Sequence, residues 1–443
     1  QLKVSLGMAF RYKKFNKIKW MKSKIADLET RIEVCWLKHN RFPTGHLKIV
    51  IDCLDAAGVE FQLVDARKNA APNTWFEWAT PPLKPRYFQK EMVQLGIEHH
   101  RGVFESAVGS GKTFIMQLLT HAMQVPVLVV APSKDLSVQI YDSFVAAFGE
   151  KKVELLNAKD RYLSKRPIRI CTIHSLNAAL KKGLMERVLK DIGMICIDEV
   201  HHAGAQSYTA LLPYFDHIYY RFGFSGTFMR NDSKTLDMWG FLSTVLYQYS
   251  AAQATAEGFL TPLKVLVHEV PGSKGSTYQR EYNNNYCDNP ELLAAVKRVF
   301  DELITPDDQV LILVGRKDKT GKILHEFLDK IGIESSYISG DSKRDVIKSA
   351  LLDFNAKRIN VLIGSSIIGE GIDVRSTDHL LMCQGGKSEI AITQALGRAA
   401  RLYEGKTVAW IHDFRFNGTK YLEGHLEQRL DIYKQNFDAE IVC

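Results

Sequence analysis

No apolar run in this chain approaches the ~18–20 residues that a membrane-crossing helix needs, so a helical membrane span is excluded. No apolar core of secretory type follows Gln1, and the missing initiator Met fits a chain trimmed at its start. The seven cysteines (Cys35, Cys53, Cys171, Cys196, Cys287, Cys383 and Cys443) share no paired spacing. An odd, scattered set offers neither a disulfide framework nor a structural zinc site, and it points to a reducing, cytoplasmic setting. Cys171 and Cys196 fall in apolar runs, where a small buried hydrophobe is expected. Acidic residues are absent from the first 24 positions, which instead hold Lys3, Arg11, Lys13, Lys14, Lys17, Lys19, Lys22 and Lys24. That cluster equals the whole net charge of +8, so the remainder is close to balanced. Phe10, Tyr12, Phe15 and Trp20 are interleaved with the cations, as on a surface that grips phosphates and stacks rings. A solvated arm whose rings complete a small core is the other reading.

A chain of 443 residues has room for two or three domains, and 46% hydrophobic with 24% charged residues is a globular balance. Residues 1–80 read as a small α/β unit. It has a basic first strand, a mixed stretch at Ile32–Leu37, a helix near Leu47–Ala57 ended by Gly58, and a strand Val59–Val64. Breaks at Ala70-Ala71-Pro72-Asn73 and Pro81–Pro85 mark a linker. From 81 to 270, strand-like runs alternate with helical patterns, the mark of a parallel sheet covered on both faces. The expected strands are Val103–Ala107, Val125–Ala131, Ile168–Ile173, Met194–Asp198 and Arg221–Ser225. The polar stretch 271–290 reads as a second linker. A second α/β series at 291–443 has strands Val310–Gly315, Ser335–Ser339, Asn360–Gly364, His379–Cys383 and Val408–His412.

Only the first series contains a phosphate loop. Val103–Ala107 runs into Val108-Gly109-Ser110-Gly111-Lys112-Thr113, whose backbone N–H groups would open a helix and cradle phosphates. Lys112 supplies a charge for the β/γ oxygens and Thr113 a hydroxyl for Mg²⁺. Ser106 stands where the usual first glycine would be, and a turn before an ordinary helix is the bland alternative. The apolar run Met194–Ile197 ends in Asp198-Glu199, one acid to hold the Mg²⁺ shell and one to activate water. Burying Asp198 without a cation would be costly. His201 and His202 follow, with no third partner at ligand spacing. Gln394–Arg401 reads as a helix with Arg398 and Arg401 on one face at i and i+3. Two cations there could neutralise charge developing on a γ-phosphate, an effect worth roughly 10³–10⁵ in rate. The nearest equivalent of a phosphate loop in the second series, Gly364–Gly371, lacks the Lys-Thr pair, so one ATP site between two lobes is the economical interpretation.

This set of motifs resembles the superfamily 2 helicases. Arg86-Tyr87-Phe88-Gln89 looks like the adenine-reading element, Val108–Thr113 like motif I, Ala131-Pro132-Ser133 like motif Ia, and Asp198–His201 like a DExH motif II. Ser225-Gly226-Thr227 stands at motif III, Gly369-Glu370-Gly371-Ile372-Asp373 at motif V, and Gln394–Arg401 at motif VI. Phe224–Arg230 with Asp232, followed by Glu257–Pro262, resembles the XPB and UvsW-like branch and restriction-motor subunits. The N-terminal unit, with Arg41–Gly45, is similar to UvsW-type phage helicases. Gly226 in place of Ala and Ala395 in place of Arg depart from the common pattern without removing a needed charge.

The resemblance implies two tandem RecA-like parallel-sheet domains preceded by the small α/β domain, with ATP and Mg²⁺ as cofactors. It implies nucleotide contacts from Arg86, Gln89, Gly109, Ser110, Gly111, Lys112, Thr113, Gly371, Asp373 and Gln394. The catalytic set would be Lys112, Asp198, Glu199, Arg398 and Arg401, with Thr113 and Asp198 on the metal. Nucleic-acid grips are implied at Pro132, Ser133, Thr172 and His174, and at Ser339, Gly340, Ser365 and Ser366, with Lys13, Lys14 and Lys17 adding duplex or junction contact. The implied activity is a DNA-dependent ATPase that unwinds or branch-migrates forked and recombination-intermediate DNA, acting as a monomer in the cytoplasm of a phage-infected host. A duplex translocase of a restriction system, an ATP-gated clamp that does not travel, and an RNA motor remain as alternatives.

Overall fold

Mostly apolar runs of four or five residues, buried along their whole length, build the centres of two sheets. Burial on both faces is what parallel strands need when helices cover them from each side. The computed structural model describes residues 44–64, 84–156, 166–200, 208, 210–226, 239–287, 289–315, 319–365, 374 and 376–442. The chain divides into two compact units: residues 1–106 with 111–248, and residues 107–110 with 249–443.

The first unit holds β1 (Arg101–Ser106), β2 (Val127–Ala131), β3 (Val153–Leu155), β4 (Ile168–Thr172), β5 (Met194–Ile197), β6 (Tyr220–Ser225) and β7 (Val245–Tyr249). Their order across the sheet is β3-β4-β2-β5-β6-β1-β7, and the pairings from β3 through β1 are parallel. Leu128, Val130, Cys171, Leu176, Ile195 and Ile197 share one core cluster beneath the helices. Gly96, in the helix Tyr87–His99, lies so near Leu119 that an added Cβ would stand 2.7 Å from its Cδ2. The helix that opens the chain's first core strand is thereby packed tightly on the helix Lys112–Met123.

The second unit holds β8 (Leu263–Pro271), β9 (Val310–Val314), β10 (Ser336–Ile338), β11 (Val361–Gly364), β12 (His379–Cys383), β13 (Ala409–Asn417) and β14 (Glu440–Val442). The order is β10-β11-β9-β12-β13-β8-β14, parallel throughout. β13 and β8 are in register from Ala409↔Leu263 to Asn417↔Pro271. The helix Tyr421–Phe437 is fastened by buried polar groups. Arg429 grips Asp413 through Nε to Oδ2 and Nη2 to Oδ1, both at 2.8 Å, and the Tyr433 hydroxyl donates to Oδ2 at 2.7 Å. The helix N-terminus is met by buried Glu281, whose Oε1 accepts from Tyr421 N–H at 2.7 Å and Leu422 N–H at 2.8 Å.

Three expectations are corrected. Val59–Val64 forms no strand; the segment is exposed, with Leu63 at 56% and Val64 at 73%, because none of the described residues pairs with it. Alternation of side chains cannot by itself supply a neighbouring strand. The boundary between the two large units lies at 248/249 rather than 270, because β8 is a strand of the second sheet. Residues 271–290 are not a linker: they contain the helix Tyr278–Tyr282, and Asn285 Oδ1 accepts from Ser273 N–H at 2.8 Å. The helix near Leu47–Ala57 is present as Leu47–Ala56, with Gly58 at a φ of +64° after it. Residues 44–46 pack on the first unit, Thr44 through Arg101 and Gly45 against Trp239 O.

Candidate nucleotide and nucleic-acid site

The candidate residues of the first unit gather at the carboxyl ends of parallel strands, the edge where α/β sheets bind ligands. β1 ends at Ser106, and after a short loop the helix Lys112–Met123 begins. Gly109 and Gly111 both take a φ of +85°. That left-handed backbone costs an ordinary residue about 1–2 kcal/mol, and glycine adopts it freely. An added Cβ on Gly111 would also stand 2.8 Å from Gln89 Nε2. No side chain caps this helix, and its first turn holds no acid. Its leading N–H groups and positive dipole end therefore suit an anion. Gln89 is buried, and its Oε1 accepts from the Arg86 backbone N–H at 2.9 Å. Gln89 thus forms part of the wall behind Gly111. Gly111→Ala is expected to weaken ATP binding at least about tenfold through strain and this clash, with helix content unchanged. Titration calorimetry beside circular dichroism checks it; wild-type affinity would show that the backbone here tolerates a side chain.

β5 lies two places from β1, with β6 between them. This brings the acidic pair to the phosphate loop: Lys112 Nζ stands 3.5 Å from Glu199 Oε1. Glu199 has a φ of +46°, an uncommon backbone for a residue with a side chain and one often held at functional sites. Asp198 is buried, and its N–H donates to Val130 O at 2.9 Å. Burial, and then the charge of Glu199, pushes its carboxyl up to about 7, against the pull of Lys112. Asp198 Oδ1 has no hydrogen-bond partner among the described residues. A buried carboxylate with an orphaned oxygen, one residue from a second carboxylate, is what a divalent cation completes. With the half-buried Thr113 in the first turn of the adjoining helix, this donor set fits Mg²⁺.

Pro132 and Ser133 follow β2, and Thr172 ends β4. Both hydroxyls serve as helix caps: Ser133 Oγ accepts from Leu136 N–H at 3.3 Å and Thr172 Oγ1 from Ser175 N–H at 3.1 Å. What this edge offers a phosphate is then the helix starts themselves, with exposed His174 in the first turn after Thr172. In the second unit, Ser339 and Gly340 form the turn after β10, where Ser339 N–H donates to Ser342 Oγ at 3.0 Å. Ser365 follows β11 and is buried, its Oγ without a partner among the described residues. Ser366, Gly371 and Asp373 lie outside the described residues, as do Lys13, Lys14, Lys17, His201 and His202.

Gln394 and the buried Arg398 lie on the helix Glu389–Ala399, capped by Ser388. The expected helix through Arg401 is corrected here, for the structure ends it at Ala399. The last carbonyls are taken by other donors: Lys406 Nζ reaches Ala399 O and, at 3.3 Å, Arg401 O, while Thr261 N–H donates to Ala400 O at 2.7 Å. Arg401 sits just past the helix end, half-buried, and burial lowers the normally very high pKa of its guanidinium. Lys406 escaped the motif reading, and Thr261 entered it only as part of the Glu257–Pro262 resemblance. A lysine a few residues past a helix end is the signal that could have drawn attention to Lys406.

Residues 82–230 match the family described as "Type III restriction enzyme, res subunit", and residues 293–403 match the "Helicase conserved C-terminal domain". The ATP-dependent DNA helicase uvsW of Enterobacteria phage T4 is 22% identical over 353 residues, 75% of this chain and 68% of its own length. The putative ATP-dependent helicase IRC3 of Saccharomyces cerevisiae is 23% identical over 70% of this chain, but only 47% of its own length is covered. The solved structure of S. cerevisiae Dbp5 bound to RNA and ADP BeF3 superimposes with a TM-score of 0.60 at 17% identity, over 81% of this chain and 90% of that one. The two seven-stranded parallel sheets are thus tandem RecA-like domains.

Proposed function

From a chain that belongs to the superfamily 2 helicases, we infer a motor that couples ATP hydrolysis to movement on DNA, separating or branch-migrating forked and recombination-intermediate strands. The observation that carries the chemistry is the Lys112–Glu199 pair, 3.5 Å apart beside the left-handed Gly111. In this reading Lys112 neutralises the terminal phosphates, and Gln89 with Arg86 selects adenine. Gly371, Asp373 and Gln394 add nucleotide contacts. Thr113 and Asp198 would hold Mg²⁺, which when bound spreads phosphate charge and orients the triphosphate. Glu199 accepts a proton from the water that attacks the γ-phosphorus as ADP leaves. Arg398 and Arg401 offset the charge that develops on the transferred group.

The strand would be held through its backbone by the segments at Pro132–Ser133, Thr172–His174, Ser339–Gly340 and Ser365–Ser366, with no reading of sequence. Lys13, Lys14 and Lys17 would add contact to duplex or junction. The proposed working form is a monomer in the host cytoplasm; among the described residues, no helix is long and apolar enough to cross a membrane.

The second reading, movement along duplex without strand separation, is favoured by the match of residues 82–230 to a restriction subunit. Strand displacement on forked DNA separates the two, with ATPase stimulation measured on fork, duplex, single-stranded DNA and RNA. ATP-dependent displacement that Lys112→Ala abolishes is the expected result. Roadblock clearance without displacement would favour the translocase, and stimulation by RNA alone would reassign the substrate.

A further inference from the structure

Lys406 is a half-buried cation that the motifs do not include, and it stands where the arginine-bearing helix ends. A helix leaves its last carbonyls unpaired and its C-terminal end negative. Here Lys406 Nζ donates to Ala399 O and to Arg401 O, the latter at 3.3 Å. Thr261 donates its N–H to Ala400 O at 2.7 Å and its hydroxyl to Arg401 O at 3.4 Å. Three successive carbonyls are held by one ammonium and one residue ahead of β8. Lys406 N–H also closes on Tyr403 O at 3.2 Å, so residues 399–406 make a loop stitched at both ends. The groups facing the ammonium are few. Its nitrogen lies 5.4 Å from the Tyr403 ring centroid, and Lys357 lies 5.0 Å from the same ring. Asp378, just before β12, accepts from the Tyr403 hydroxyl and is the acid that acts on Lys406.

We propose that Lys406 is a positioning residue for ATP hydrolysis: by fixing the main chain from Ala399 to Arg401, it sets the direction in which the two guanidinium groups leave the helix end. This rests on the role assigned above to Arg398 and Arg401. Long side chains act at a reacting phosphate only if their roots are fixed, and a misplacement of ~1 Å can cost about 10²-fold in rate.

Titration gives the idea a signature. Burial pulls the Lys406 ammonium down to about 8, with Asp378 opposing. A lysine whose folded pKa lies below its unfolded value burdens the fold while it is charged. Raising the pH through about 8 relieves that cost, so stability holds or rises. Over the same range the charge-assisted grip on the carbonyls weakens, and turnover falls. A lysine with a purely structural role would make the two move together.

The experiment uses the full chain, saturating ATP and DNA, between about pH 6.5 and 9.5, with thermal unfolding measured alongside. Wild type, Lys406→Met, Lys406→Arg and Arg401→Ala are compared. Wild-type kcat is expected to fall severalfold above about pH 8 with no loss of Tm. Lys406→Arg, which stays charged, should lose that alkaline limb. Lys406→Met should show a kcat about tenfold lower at neutral pH with KM for ATP unchanged. Wild-type turnover in Lys406→Met together with loss in Arg401→Ala would overturn the positioning role and leave the arginine assignment standing. Wild-type turnover in Arg401→Ala would remove the assignment itself. If Lys406→Met does not fold, Lys406→Arg decides: an alkaline limb unchanged from wild type overturns the proposal.

Discussion

Glu199→Gln is expected to bind ATP and DNA as the wild type does and to turn ATP over at least about 10²-fold more slowly. The amide keeps the size of the carboxylate and its capacity to accept a hydrogen bond from Lys112, which stands 3.5 Å away. It cannot accept the proton of the attacking water. Because the left-handed backbone at Glu199 belongs to the strand-to-loop junction and not to the carboxylate, the substitution leaves the local path of the chain in place. Loss of kcat with ground-state affinity retained is the pattern of a group that acts only in the transition state. Single-turnover phosphate release, with nucleotide and DNA affinities measured by fluorescence, separates the two quantities. Near wild-type release would place the base elsewhere in the loop.

Arg429→Ala is expected to produce the largest loss of stability. The guanidinium and the Asp413 carboxylate are almost completely shielded from water and meet through two bonds of 2.8 Å. Removing one partner strands a charge, at a cost of about 3–5 kcal/mol. At about 2–4 °C per kcal/mol for a unit of this size, the midpoint of the second unit should fall by ~6–20 °C. The same guanidinium donates to Gly386 O at 3.0 Å, so the loop ahead of the helix Glu389–Ala399 loosens as well. Asp413→Leu combined with Arg429→Met removes both charges and should recover most of the loss. Thermal unfolding by circular dichroism checks both variants. A single variant that melts within about 2 °C of wild type would mean that water reaches Asp413 and solvates it.

The strands that sequence made legible are the ones whose apolar runs are continuous. Val127–Ala131, Val310–Val314 and His379–Cys383 are each buried at every position, so composition and burial say the same thing. β8 was hidden because Lys264, His268 and Glu269 interrupt its apolar pattern, and its side chains are only partly covered. β3 and β14 are three-residue strands at the ends of their sheets, too short to carry a period. Val59–Val64 shows the converse, since a strand-like pattern without a neighbour remains irregular.

In the site, Lys112 and Glu199 could be named from residue type and order, since strand-end chemistry is local. The contact of Gln89 with Gly111 could not, because it depends on which segments meet after folding and no spacing rule within one segment encodes that. The capping of the next helix by Thr172 is local, three residues from Ser175, and the lysine past the helix end is a local cue as well.

The place of β8 also bears on how the protein is made. Its ladder partner β13 begins at Ala409, far down the chain from Leu263, and its other neighbour β14 comes later still. At a ribosomal pace of about 5–20 residues per second, the nascent strand waits roughly 7–30 s with both edges unsatisfied. The first unit can mature during that interval, whereas the second cannot close its sheet until β14 has been made. Slowed elongation between the two strands would lengthen the window in which an open edge can recruit another chain.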